Sequence, residues 1–275
     1  MKNYKLFLRH LLASIGLTSA LVTIFATISK NIAKDLSDNS ECSLILIAII
    51  CIAYSCYRTR SKEKIKIIIS ERTTLNIKYG DIFDQEGVIV IPCNNYFDTI
   101  VNNEIISIET LHGEFIEKYF KDDIPFLDKQ ISEQTKDIPF IINEKRTQGK
   151  KESYPLGTCI KVKNKNNKEF ILFSLTNFNE ENRARVTNLE YQEVMIKLLD
   201  YIENKSQGSK ISIPLAGTGH SGLRTKKQCA LEYLIIAMRI KEDLTLINGI
   251  NIILSKEQKD YINLNIVDYY YNIVE

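Results

Sequence analysis

The residues best suited to chemistry lie at three places, and the densest is the run Ile211-Ser212-Ile213-Pro214-Leu215-Ala216-Gly217-Thr218-Gly219-His220-Ser221-Gly222-Leu223. Its β-branched start reads as a strand, Pro214 ends the ladder, and three glycines follow before a helical pattern begins near Lys226. Glycine tolerates positive φ and lets successive backbone N–H groups converge on an anion, so strand, glycine loop and helix in this order can cradle phosphate. A loop of this composition can also do no more than turn the chain. The second place is Gly80-Asp81-Ile82, an acid at the end of a short alternating run. The third begins at Asn94 and reaches Asp98, polar side chains just after the apolar run 88–91 and Pro92, where open α/β sheets put their ligands.

The elements that must position these residues follow from periodicity. From about residue 64 onward strand and helix patterns alternate over roughly the length of one α/β domain. Strands are expected at 65–69, 75–79, 88–91, 158–163, 169–175, 211–213 and 246–254, the last with a break at Asn248 and Gly249. Helices are expected at about 110–120, 124–134, 187–202 and 231–240; Thr187 with Glu190 fits a capping box, and Tyr191, Met195, Leu198 and Ile202 recur on one face. Residues 138–142 can be loop or strand. Residues 144–151 are net basic, broken by Gly149, and read as an exposed hairpin tip or linker, while 164–168 read as a hairpin turn. The tyrosine-rich tail has enough apolar residues to pack as a final helix or to form a partner surface.

The first sixty residues are different in kind. Residues 11–28 carry no charge and would make a helix roughly 27 Å long, close to the hydrocarbon thickness of a bilayer. A second uncharged run, 42–57, ends on Tyr54 and Tyr57, which suit the headgroup level. Lys2, Lys5 and Arg9 flank one outer end and Arg58, Arg60, Lys62, Lys64 and Lys66 the other, so the positive-inside rule puts both ends in the cytoplasm. The expectation is a transmembrane hairpin over 1–62, with spans at about 11–28 and 42–57, and a ligand-binding domain over 63–275. A signal peptide and a pair of buried core helices are the competing readings; the first lacks a convincing small-residue cleavage site. Ala13, Gly16, Ser19, Ala20 and Thr23 fall partly on one side of the first run and can pack against a neighbouring helix.

The formal charge of +2, from 36 basic and 34 acidic side chains, gives no general argument for nucleic acid. Three of the six cysteines lie in the second apolar run and the others are widely spaced without a C-x-x-C pair, which fits a reducing compartment and argues against a disulfide scaffold or zinc site.

Gly80-Asp81-Ile82, then 88–95 with Pro92, Cys93, Asn94 and Asn95, then 213–222, resemble in order and spacing a macro domain. The resemblance implies an α/β fold, three-layer α/β/α with a mixed sheet, that binds ADP-ribose or relatives. It places Asp81 at the adenine amino group with Ile82 in the same pocket, Asn94 near the distal ribose, and Gly217, Thr218, Gly219, His220, Ser221 and Gly222 around the diphosphate. Asp98 would contact the far end of the ligand or cap the next helix. Glu109 would accept from a ribose hydroxyl if its helix faces the cleft, and Arg183 and Arg185 would neutralise phosphate or stand in a solvated turn. His112 reads as a packed helical histidine rather than a catalyst, His220 as a backbone donor, and Cys93 as a small buried residue with no base beside it.

With the hairpin added, the chain resembles the membrane-associated macro effectors of bacterial Thoeris antiviral defence (type II). That resemblance implies a TIR-domain partner that makes an ADP-ribose-derived signal, a homo-oligomer in the inner membrane with both termini and the macro domain cytoplasmic, membrane disruption, and no metal or cofactor. Hydrolytic members carry an asparagine where this chain has Ile91, and a glycine-rich loop soon after Asn94; here 96–103 contain no glycine. Ligand sensing is therefore the leading expectation, a membrane-tethered ADP-ribose hydrolase the alternative, and a ligand-free structural adaptor the third.

Overall fold

The computed structural model describes residues 4–29, 34, 38, 40–206, 208–217, 222–241 and 244–272. The chain divides into two compact units, Met1–Lys62 with Asn263–Tyr270, and Glu63–Ile262 with Tyr271–Glu275.

In the first unit, α1 (Tyr4–Ile28) and α2 (Ser40–Arg58) are long and apolar enough to cross a membrane. Only 6% and 11% of their apolar windows are buried within this chain. The two meet where Thr18 Oγ1 lies 3.5 Å from Cys51 Sγ. Half-buried positions in the apolar run of α1 are Leu11, Ser14, Thr18, Val22 and Ala26, one face of a helix. Ala13, Gly16, Ser19, Ala20 and Thr23 are exposed, and a Cβ on Gly16 would meet nothing within 4 Å, so the contact between α1 and α2 leaves that small-residue face open.

The second unit is built on a mixed sheet. Its strands are β1 (Lys64–Ser70), β2 (Thr73–Tyr79), β3 (Val88–Asn94), β6 (Cys159–Lys163), β7 (Glu169–Phe178), β8 (Ala184–Arg185), β9 (Ile211–Pro214) and β10 (Ile250–Leu254). The order is β1-β2-β10-β9-β3-β7-β6, with β8 paired to β7. β2, β10, β9, β3 and β7 run parallel to one another; β1 and β6 are antiparallel edges. A separate small ladder joins β4 (Ile141–Ile142) to β5 (Glu152–Ser153), so of 138–142 only the last two residues are strand.

Alternation sorts the central strands onto two faces. Ile89, Ile91, Cys93, Phe170 and Leu172 pack in one cluster with Phe115, Ile116 and Phe120 of α3 (Leu111–Tyr119) and its flank, and with Leu127 and Ile131 of α4 (Ile124–Thr135). The opposite face is covered by α5 (Asn188–Lys205) and α6 (Lys227–Ile240), whose buried stripes include Tyr191, Met195, Leu198, Ile202, Leu231, Leu234 and Met238. The capping box at the start of α5 is formed: Thr187 Oγ1 accepts from Glu190 N–H and Glu190 accepts from Thr187 N–H. A 3₁₀ turn (Lys256–Asp260) and α7 (Leu264–Asn272) close the chain.

Two stretches differ in part from expectation. Residues 246–249 form a turn rather than the start of a strand, closed by Gly249 N–H donating to Leu246 O at 2.7 Å; Gly249 has φ +69°, and a Cβ there would meet Thr74 O at 2.7 Å. The segment 143–151 is the hairpin connection between β4 and β5 and is mostly exposed, but Arg146 within it turns inward and is buried to 1% exposure.

Candidate functional site

The five parallel strands all point their C-terminal ends at one cleft of about 630 Å³, a size and position usual for a small-molecule site in an α/β sheet. Its walls are Gly80-Asp81-Ile82 after β2, Pro92-Cys93-Asn94 at the end of β3, Thr176 and Phe178 of β7, 214–217 after β9, and 255–258 after β10. α3 and the loop before it close one side with Glu109, His112 and Glu114. Residues far apart in the chain thus converge because parallel strands share one direction.

At the end of β2, Asp81 Oδ1 accepts from Phe83 N–H at 2.8 Å, and its backbone carbonyl from Gln85 Nε2 at 2.7 Å. The side chain remains exposed on the cleft wall. Glu114 reaches the same region from α3, and partial burial together with the Asp81 charge raises its carboxyl above the usual carboxylate range. Ile82 is buried beside it and joins the α3 core.

At the end of β3, the Asn94 side chain holds the chain's exit turn. Its Oδ1 accepts from Tyr96 N–H at 3.1 Å and Asp98 N–H at 3.3 Å, and its Nδ2 donates to Asp98 Oδ2 at 2.9 Å. Asp98 is 1% exposed and does not line the cleft. Its carboxylate is taken by Arg146, by Lys150 N–H at 2.8 Å and by Asn94. Arg146 also donates to Asn182 Oδ1 and Lys150 O, and its guanidinium lies 3.9 Å from the centroid of the Tyr96 ring. Lys150 Nζ in turn donates to Phe97 O, the carbonyl of a residue held at φ +48°. Sequence reasoning missed Arg146, and nothing local marks it: its acid lies 48 residues away and its neighbours are charged and exposed.

Cys93 and His112 both line the cleft and both are kept neutral. Burial pushes the Cys93 thiol well above its ordinary value, with Lys150 opposing only in part. Burial pushes His112 down to about 4, outweighing the nearby Asp98 charge. Ile91, at the position of interest for hydrolysis, is fully buried in the core beneath α3.

Of the glycine loop, Gly217 and Gly222 are described, while Thr218, Gly219, His220 and Ser221 lie outside the described residues. Gly217 has φ +87°, and a Cβ there would meet Tyr191 Cε2 at 2.9 Å. Gly222 has φ +72° and would meet Ala184 O at 2.8 Å. The loop therefore rests on α5 at one end and on β8 at the other, at a closeness only glycine permits. Ala184 lines the cleft, but its neighbours Arg183 and Arg185 are exposed, Arg183 paired with Glu181 at 3.2 Å. Among the described residues no group of three or more His, Cys, Asp or Glu could hold a metal ion.

A mixed sheet between helix layers, with its cleft at the parallel strand ends, defines a macro-domain fold. Solved macrodomains of Oceanobacillus iheyensis share it: one solved with ADP matches at a TM-score of 0.51 and 17% identity over 75% of this chain and 96% of its own. A mutant form matches at 0.50 and 16% over 76% and 98%.

More narrowly, residues 75–255 match the family described as "Thoeris protein ThsA, Macro domain", and this chain belongs to that family. It is also 34% identical over 169 residues to "Thoeris protein ThsA" of Bacillus amyloliquefaciens (strain Y2), covering 56% of this chain and 54% of the relative's own length. The match thus takes in about half of that curated relative.

Proposed function

We propose that this protein is a membrane-anchored sensor of an ADP-ribose-derived nucleotide in antiphage defence. The cleft between Asp81 and Gly217 carries the reading: an acid stands at one wall, a glycine turn with two positive-φ positions at the other, and the enclosed volume is that of a nucleotide site. Asp81 accepts from the adenine amino group with Ile82 against the ring, Asn94 holds the exit turn beside the distal ribose, and the loop 217–222 gives its N–H groups to the diphosphate. Asp98 acts through Arg146 and Asn94 as a positioning residue. The signal comes from a TIR-domain protein. The hairpin spans the inner membrane twice, with both chain ends and the macro domain cytoplasmic, and the small-residue face of α1 packs against other copies when ligand drives assembly that disrupts the bilayer.

Sensing without turnover is favoured by the chemistry of the described lining. Cys93 is held as a thiol, and Ile91, where hydrolytic members carry an asparagine, is an apolar side chain buried in the core beneath the cleft. Calorimetry of the full chain in detergent with ADP-ribose tests the reading, with particle size followed by light scattering. Binding that drives assembly is expected, and Asp81→Ala should weaken it by about tenfold or more. Release of free ADP-ribose from ADP-ribosylated substrates would instead support the tethered hydrolase, and no affinity for any adenine diphosphate would overturn both.

A further inference from the structure

We infer that the C-terminal helix α7 is a membrane-interface element: it lies in the phospholipid headgroup layer and bridges the cytoplasmic ends of the two apolar helices. The inference rests on the proposed reading of α1 and α2 as membrane spans, and adds a lipid-contacting surface at the far end of the chain.

Two independent sets of contacts, all within the first unit, fix where α7 sits. Asn265 brackets the segment just after α2: its Oδ1 accepts from Lys62 N–H at 3.0 Å and its Nδ2 donates to Arg60 O at 2.8 Å. Asp268, one turn on, pairs with the Lys62 ammonium. From the other side, the Arg9 guanidinium of α1 stands 4.6 Å from the centroid of the Tyr269 ring. Arg9 is the last charged residue before the uncharged run of α1, if the titratable His10 is set aside, and Arg58, Arg60 and Lys62 are the first charges after that of α2. A helix tied to both is held at the level where hydrocarbon gives way to charge. Asn265 and Tyr269 are about one helical turn apart, roughly 6 Å, so that turn spans from one helix end to the other.

The side chains suit that depth. Ile266 and Tyr270 are 44% and 61% exposed and stand four residues apart on one face. Tyrosine prefers the boundary between hydrocarbon and water, where its ring is buried and its hydroxyl is wet. Arg9 and Lys62 touch the helix, and Arg58 and Arg60 precede Lys62 within four residues, so the segment that holds α7 carries positive charge that draws it toward anionic headgroups. A soluble protein partner would give no reason for the same helix to be pinned level with both spans.

The chain contains no tryptophan, so one substitution supplies a sole fluorophore. Tyr270→Trp, Leu46→Trp in the exposed face of α2 and Phe126→Trp on α4 would each be made in the full chain and reconstituted into phosphatidylcholine–phosphatidylglycerol vesicles. Lipids carrying a nitroxide at the headgroup or deep in the acyl chain serve as quenchers. The expected result is blue-shifted Tyr270→Trp emission quenched chiefly by the headgroup probe, Leu46→Trp quenched by the deep probe, and Phe126→Trp by neither. Water-like, unquenched Tyr270→Trp emission beside a deeply quenched Leu46→Trp would overturn the interface helix and leave the spans standing. Loss of deep quenching at Leu46→Trp would overturn the spans and the inference with them.

Discussion

Arg146 and Asp98 form a buried two-pronged ion pair, with Nη2 to Oδ2 at 2.6 Å and Nη1 to Oδ1 at 3.1 Å, and side chains 0% and 1% exposed. Through it the turn after β3, the segment 143–151 and the turn at Asn182 are held as one body. The first of these carries Asn94 of the cleft wall, and the last leads directly into Ala184 of β8. The pair is thus a support for two walls of the cleft rather than part of its surface.

Removing one partner leaves a charge buried without compensation. Arg146→Met is expected to destabilise the second unit by about 3–5 kcal/mol, read by urea denaturation of the full chain in detergent. The Asp98→Asn, Arg146→Met double variant should recover much of that loss, and Arg146→Lys, which keeps the charge but not the fork, should fall between. A single-variant loss under about 1 kcal/mol would show that the pair does not hold the turn.

His112 makes stability depend on pH. Its folded value of about 4 lies below the ordinary 6.5, so the unfolded chain binds more protons between those values and stability rises with pH across that window. Acidification from about pH 6.5 toward 4 should therefore cost up to about 3 kcal/mol at this site. His112→Gln should flatten that part of the denaturation profile, and an unchanged slope would exclude His112 as its source.

Gly217 meets two constraints at once, φ +87° and Tyr191 carbon at 2.9 Å from a new Cβ. Gly217→Ala is expected to cost about 1–2 kcal/mol of stability. Its effect on ADP-ribose affinity by calorimetry should be larger, since the substituted backbone opens the anion turn. Unchanged affinity would mean the turn does not hold the diphosphate.

Thr187 caps the helix whose Tyr191 lies under that loop. Thr187→Ala should lower stability by about 1 kcal/mol, measured as a shift in the urea midpoint at constant slope. Ligand affinity of the folded fraction should change little, because the cap acts one turn away from the loop contact.

Much of this architecture was legible in the residues themselves. The capping box at Thr187 and Glu190, the buried run of β3, the two uncharged runs 11–28 and 42–57 and the glycine turn after β9 all announce themselves through neighbours within a few positions. The break at Asn248 and Gly249 is legible, but Leu246 and Ile247 before it fit strand or turn equally well by pattern; the structure makes them part of the turn, with Gly249 so close to Thr74 O that a Cβ would not fit. The segment 144–151 reads as exposed because Glu144, Lys145, Lys150 and Lys151 look solvated, and most of them are; the inward turn of Arg146 is what the pattern hides.

From its sequence alone this chain determines most of its helices and central strands, which segments are apolar enough for a bilayer, and where glycines free the backbone, since periodicity and torsional preference are local properties. Tertiary structure alone decided that Asp98 belongs to Arg146 rather than to the cleft, that Tyr191 underlies Gly217, and that Asn265 clasps the end of α2. The reason is physical: a buried charge or a close approach is settled by whichever distant group can satisfy or fill it, and distance along the chain carries no record of that partner.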